Sequence, residues 1–252
     1  MVSVEPEHIL PAEWAPQAGV LLTWPHADSD WRPHLAAVEP VFVRIAAEVA
    51  RREDVVIGCR DAALAGHVRG LLAAAGVDPA RVRLHVVASQ DTWARDHGPL
   101  TVIRRGAPLL LDFTFNGWGG KFAAEQDDQI SRRLHALGAF GAEAMASVDL
   151  VLEGGSVECD GAGTLLTTRR CLLAGTRSGL SEAELTRQLM LFGRGDEGTA
   201  VVLAAERRCE LEEGAVGADV GLVQHEVMDG NAAGDGQTLV LGAADDIERQ
   251  GR

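Results

Sequence analysis

Three short stretches concentrate the side chains able to do chemistry. Residues 91–99, DTWARDHGP, put two acids, an arginine, a histidine and a tryptophan within nine positions. Carboxylates accept charge-assisted hydrogen bonds from a cation and an indole can lie flat against one, so Asp96 and Trp93 are candidates for holding a cationic group. The structural alternative is a solvated loop with an ion pair between Arg95 and a neighbouring Asp. Residues 116–121, NGWGGK, place Asn116 before a tryptophan, Trp118, that glycines flank, the pattern of a turn displaying a partly exposed ring. Residues 153–156, EGGS, set Glu153 at the end of the run VDLVL, which is apolar apart from Asp149. An acid there is unfavourable to bury unless it is paired, which makes it a site candidate. NGWGGK and EGGS are weak signals singly and gain weight beside the first cluster.

The elements that must position these residues read as strands and helices in alternation. A short buried strand covers 19–24 and is stopped by Pro25. Residues 33–52 form an amphipathic helix, with Leu35, Val38, Val41, Phe42, Ile45, Ala46 and Val49 at helical spacing. A β-branched strand at Asp54–Cys59 leads to a helix capped by Asp61 and stopped by Gly76. Strands follow at 81–88, 100–104 and, after a turn at 105–108, 109–115. A helix spans 124–137. Residues 148–152 lead into a hairpin that carries Glu153 on one arm and braces it with a second arm, 164–173, after the turn 160–163. Ser181 and Glu184 form a capping-box pattern for a helix over 181–192. Strands are expected at 199–204 and 238–242. The alternation recurs about every 50–60 residues, which suggests a repeated α/β module within one domain spanning 1–252.

Composition narrows the function classes. The chain has 252 residues, 46% hydrophobic and 24% charged, enough for one substantial core. Its net charge of -14 argues against nucleic acid and suits a cationic small molecule. The four cysteines show no CxxC pair and no zinc-like spacing, so no metal is expected. The first residues lack a signal-peptide layout and no apolar run reaches the roughly 18 residues that span a bilayer. A reduced cytoplasmic protein is the expectation. His26 and His34 are expected at the surface, and Cys59 and Cys171 as small hydrophobes within strands.

Taken in order, PAEWAPQAGVLLTWP, DTWARDHGP, FNGWGGKF, LEGGSVECDGAGTLLTTRRCLL and LSEAEL resemble the agmatine deiminase family, among the guanidine-modifying enzymes that include bacterial-type peptidylarginine deiminases. The resemblance covers residues 11 to about 192. It implies ββαβ modules around a pseudo-fivefold axis, the pentein propeller, with the site at the centre and no cofactor. In that family a cysteine thiolate attacks the guanidinium carbon, carboxylates grip its nitrogens, and a histidine shuttles protons; ammonia leaves and water hydrolyses the adduct. Carried over by motif, Asp96 holds the guanidinium, Glu153 orients the catalytic histidine, and Trp93, Asn116 and Trp118 line the pocket. The histidine maps onto His225, although HEVMDGN has the family's residue types at a different spacing. The nucleophilic cysteine belongs to a glycine-rich segment that has no counterpart here; Cys209 is the one cysteine outside the matched region. The implied reaction is conversion of agmatine to N-carbamoylputrescine and ammonia. The alternatives are deimination of free or peptidyl arginine, or a guanidinium-binding relative without the nucleophile; a homo-oligomer is compatible with either.

Overall fold

The run DVVIGC is apolar at nearly every position, as a strand covered on both faces must be. It forms β3 (Asp54–Cys59), central in a parallel sheet of order β2-β3-β4 with β2 (Gly19–Thr23) and β4 (Val82–Val86). The computed structural model describes residues 8–189, Phe192 and 200–204. On one face of β3, Val55, Ile57 and Cys59 pack with Ala46 and Ala50 of α1 (Leu35–Ala50) and Val68 and Leu72 of α2 (Ala62–Ala74). On the other, Val56 meets Ile130 and Leu134 of α5 (Ile130–Ala136). Asp61 caps α2 by accepting the Leu64 N–H at 2.8 Å.

The next two sheets share one connectivity. Strands β5 (Leu100–Arg104) and β6 (Ala107–Thr114) pair antiparallel, and β6 then crosses over through α5 to pair parallel with β7 (Ala144–Val151). Strands β8 (Val157–Cys159) and β9 (Thr164–Thr168) repeat the hairpin. From there the chain crosses through α6 (Arg169–Leu172) and α7 (Glu182–Leu189) to β10 (Ala200–Ala204), parallel to β9. Both are ββαβ units. Strand β1 (His8–Ile9) adds an antiparallel edge to β5. Leu185 and Leu189 of α7 share a core with Val102, Leu111 and Phe113 of the preceding module.

Several boundaries differ from expectation for physical reasons. The 153–173 segment is not one hairpin with Glu153 on an arm. The strand before Glu153 belongs to the β6–β7 sheet, while β9 pairs with β8, which begins four residues beyond Glu153. The second arm ends at Thr168, whose side chain caps α6, so Cys171 lies in a helix. The expected 105–108 turn contracts to Arg105 and Gly106, both at positive φ, and β6 restarts at Ala107. The helix expected from 124 begins at Ile130, because the side chains of Asp127 and Asp128 hold neighbouring loops. The expected strand at 238–242 lies outside the described residues, and the one-domain expectation for 1–252 extends over residues that are also outside them.

Candidate functional site

The chemistry-bearing residues sit just beyond the C-terminal ends of parallel strands, where ligands of open α/β sheets bind. Trp31 follows β2, Asp91 and Trp93 follow β4, Trp118 follows β6, Glu153 follows β7, and Arg177 follows β9 and α6. Asp96 lies on the single helical turn α3 (Ala94–His97).

Asp96 is fixed from two sides. The Trp118 indole donates to its Oδ2 at 3.1 Å, and the Gly155 N–H donates to its Oδ1 at 2.9 Å. The EGG turn reaches α3 only because Gly154 has no side chain: a Cβ there would stand 2.2 Å from the Arg95 carbonyl oxygen. Trp118 itself has φ 58, a left-handed conformation that a large side chain adopts at a cost of roughly 1–3 kcal/mol. Asn116 stabilises that turn. Its Oδ1 accepts the Gly119 N–H at 2.8 Å and its Nδ2 donates to the Thr176 carbonyl at 2.9 Å, so both ends of the amide serve the loop.

Glu153 is 2% exposed and forms an ion pair with Arg177, itself 9% exposed. Thr176 and Arg177 pass across Gly119, where a Cβ would lie 2.6 Å from Thr176 Oγ1 and 3.3 Å from Arg177 Nε. Burial pushes the Arg177 guanidinium below its ordinary pKa, and the charge of Asp96 acts in the opposite direction. A guanidinium thus pairs with Glu153, feels the charge of Asp96 and passes close to the Trp118 turn. The chain's own arginine supplies it.

Trp93, 48% exposed, packs edge-on against Trp118 with ring centroids 6.3 Å apart. Its indole N–H donates to Asp91 Oδ2 at 3.0 Å, and Trp31 donates to Asp91 Oδ1 at 2.8 Å. The backbone beneath is clasped by Asp127, which accepts the Gln90 N–H at 2.7 Å and the Asp91 N–H at 3.1 Å. Burial pushes the Asp127 carboxyl up to about 6 despite those donors. A second clasp holds the β6 exit: Arg132 bridges Asp112 at 2.6 Å and Asp128 at 2.5 Å, and Asp128 accepts the Phe115 N–H. His97, the last residue of α3, is buried, its Nε2 3.2 Å from Thr23 Oγ1, and burial pushes its pKa down to about 4.

Some expectations change. Among the described residues Arg95 pairs with no Asp; it reaches Glu13 at 2.5 Å and Glu158 at 3.8 Å, tying α3 to the N-terminal segment and β8. His26 is buried, with Nδ1 accepting the Asp28 N–H, whereas His34 is exposed. Cys59 is a buried strand residue whose thiol is pushed up to about 12, which removes it as a nucleophile. His225 and Cys209 lie outside the described residues. Arg177, Asp91 and Trp31 were not singled out from sequence. The signal for Arg177 was available in the requirement that a buried Glu153 have a cation beside it. No group of His, Cys, Asp or Glu able to hold a metal occurs among the described residues. An apolar cavity of about 200 Å³ lies elsewhere, between Leu109, Phe113, Leu150 and Phe192, away from these charges.

Comparison with known proteins gives concordant matches. A family described as Porphyromonas-type peptidyl-arginine deiminase matches residues 9–194. The agmatine deiminase of Stutzerimonas stutzeri is 36% identical over 177 residues, 68% of this chain and 46% of that protein. Among solved structures, a cysteine-to-serine variant of C. jejuni agmatine deiminase with substrate bound is similar at a TM-score of 0.68 and 28% identity, over 79% of this chain and 56% of that one. An Enterococcus faecalis agmatine deiminase gives 0.67 at 27% identity, over 81% and 55%. The chain spans about half the length of the curated relatives it matches. Its α/β fold is that of the solved agmatine deiminases.

Two predictions follow from the burial of charge. Arg177→Gln leaves the Glu153 carboxylate buried without a cation and should destabilise the fold by about 3–5 kcal/mol, whereas Arg177→Gln with Glu153→Gln should recover much of that loss. Urea unfolding of both variants checks it, and additive losses would contradict the pairing. For His97, the folded state resists protonation down to about 4 while the unfolded chain takes a proton near 6.5. Stability therefore falls as pH drops from about 6.5 to 4, by about 2 kcal/mol at pH 5. Asp127, raised in the fold, acts with the opposite sign. The pH dependence of wild type minus His97→Gln isolates the histidine; equal slopes in the two proteins would contradict its buried neutral state.

Proposed function

The chain belongs to the Porphyromonas-type peptidyl-arginine deiminase family, and from that premise we propose that it is a cytoplasmic, guanidine-binding hydrolase acting on agmatine, releasing ammonia and N-carbamoylputrescine. The observation that carries this reading is the Asp96, Glu153 and Trp118 constellation around a guanidinium, that of Arg177. The Trp118 and Gly155 donors hold the Asp96 carboxylate in place, and its remaining lone pairs accept N–H bonds from the substrate guanidinium. Trp93 and Trp118 wall the pocket, and Asn116 acts through the Trp118 turn.

Glu153, paired with Arg177, is the carboxylate proposed to orient the catalytic imidazole and favour its protonated form. His225, which lies outside the described residues, enters the proposal as the group that gives a proton to departing ammonia and takes one from the incoming water. In the covalent step a thiolate forms a bond to the guanidinium carbon, the C–N bond breaks with protonation of nitrogen, and water then cleaves the C–S bond. The described residues supply the grip on the cation; Cys59 and Cys159, both with thiols raised by burial, do not supply that thiolate.

Asp96→Asn should weaken agmatine binding by about 1.5–3 kcal/mol, the range for hydrogen bonds to charged groups. Calorimetry on wild type and variant, with circular dichroism to show an intact fold, measures it. An unchanged affinity would remove Asp96 from the site.

A further inference from the structure

We propose that Arg95 and Glu13 are positioning residues for Asp96, holding the turn that presents its carboxylate to the substrate guanidinium; the proposal rests on the guanidine reading above. The turn α3 is four residues long, too short to be stable without tertiary support. That support comes from three consecutive side chains that leave it in different directions. Asp96 bonds to Trp118 and Gly155. His97 runs back to Thr23 of β2, and its carbonyl accepts the Ser131 hydroxyl at 2.9 Å. Arg95 goes the third way. Its Nη2 meets Glu13 Oε1 at 2.5 Å and Glu158 Oε1 at 3.8 Å, and donates to the Val157 carbonyl at 3.5 Å. A Cβ on Gly155 would collide with Asp96 Oδ1 and touch Arg95 Cγ at 3.7 Å, so the Arg95 stem and the Asp96 carboxylate rest on one glycine.

Glu13 is a fixed anchor because the segment that carries it is fastened to the β8–β9 hairpin. The Cys159 thiol donates to the Pro11 carbonyl at 3.1 Å, and Gly161, at φ 70, lets Ala12 approach to where a Cβ would stand 2.6 Å from its nitrogen. The Leu10 N–H donates to the Phe192 carbonyl at 3.2 Å, and β1 pairs with β5. Arg95 thus joins α3 to a segment tied to both ββαβ modules. Glu13 and Glu158 share its guanidinium. Burial first, and then the charge of Glu13, push the Glu158 carboxyl above its ordinary pKa, and Arg95 opposes them. Loss of Arg95 leaves two like charges facing each other and opens the clasp. All three side chains are about half exposed, so these ion pairs add little to global stability. What they set is the placement of a four-residue turn.

The test separates position from charge, because the two act with opposite signs. Arg95→Gln removes a positive charge near a site for cations, which by charge alone would tighten agmatine binding. Through the position of Asp96 it should instead weaken agmatine binding about three- to tenfold by calorimetry, part of the full worth of a hydrogen bond to a charged group. Its urea midpoint should stay close to that of wild type. The Trp118 indole resonance of ligand-free, 15N-labelled protein should move as well, since its acceptor moves, while that of Trp24 stays. Glu13→Gln should shift the same resonance, which keeps the test decisive if Arg95→Gln fails to fold. In the double variant the loss of affinity should be no greater than in Arg95→Gln alone. Tighter or unchanged agmatine binding in Arg95→Gln, or additive losses in the double variant, would overturn the positioning role while leaving guanidine binding intact. Failure of wild type to bind agmatine would overturn the guanidine reading instead. The ligand-free Trp118 resonance then decides the clasp, and a resonance unmoved in both variants would overturn it.

Discussion

The buried ion pair between Glu153 and Arg177 is the contact on which the arrangement of the site depends. It joins the exit of β7 to the segment after α6, and so connects the two ββαβ modules at their strand ends. Neither charge would be stable there alone, because burial removes the water that would otherwise solvate it. The constraint propagates outwards. For Arg177 to reach Glu153 the chain must cross Gly119, which forbids a side chain at that position and requires the left-handed turn that Asn116 stabilises. That turn aims the Trp118 indole at Asp96. A pair that looks like an internal packing detail thereby sets the position of the carboxylate and the ring proposed to meet the substrate.

A second tier of acids organises the loops from below. Asp127 and Asp128, adjacent in sequence, hold two different strand exits: the first fixes the backbone of Gln90 and Asp91, the second the N–H of Phe115. Arg132 balances Asp128 and the buried Asp112 together. Asp91 and Asp96 each combine a backbone N–H, from Thr92 and from Gly155, with indole donors, Trp31 and Trp93 for the first and Trp118 for the second.

Much of the scaffold was legible in the sequence because local signals agreed with tertiary demands. The apolar run of β3 and the Asp61 cap of α2 both lie where pattern and capping place them, and Ser181 accepts the Glu184 N–H as its spacing implies. The partner of β9 was not legible. Two apolar strands flank Glu153 at short range, VDLVL and SVEC, and periodicity does not say which one a third strand will choose. Arg177 was hidden for a related reason: in GTRSGL it reads as an ordinary loop arginine, and only the fold brings it to a buried acid. His26 follows a proline in a polar loop, which suggests exposure, but the β4 exit covers it. The two acids and the tryptophan of DTWARDHGP were legible as a cluster, whereas the partition into Asp91 for Trp31 and Trp93, and Asp96 for Trp118, required coordinates.

The central claim is that a guanidinium meets the Asp96 carboxylate beside the Trp118 indole. The chain has five tryptophans, so its indole N–H resonances form a small set that can be assigned by substitution. Titrating 15N-labelled protein with agmatine should shift the Trp118 indole resonance in a saturable way, because its hydrogen-bond acceptor becomes shared with the incoming cation. The indole of Trp24, bonded to Glu39 in the β2–α1 layer, should stay in place. Saturable binding of agmatine that leaves the Trp118 resonance unmoved would contradict the account.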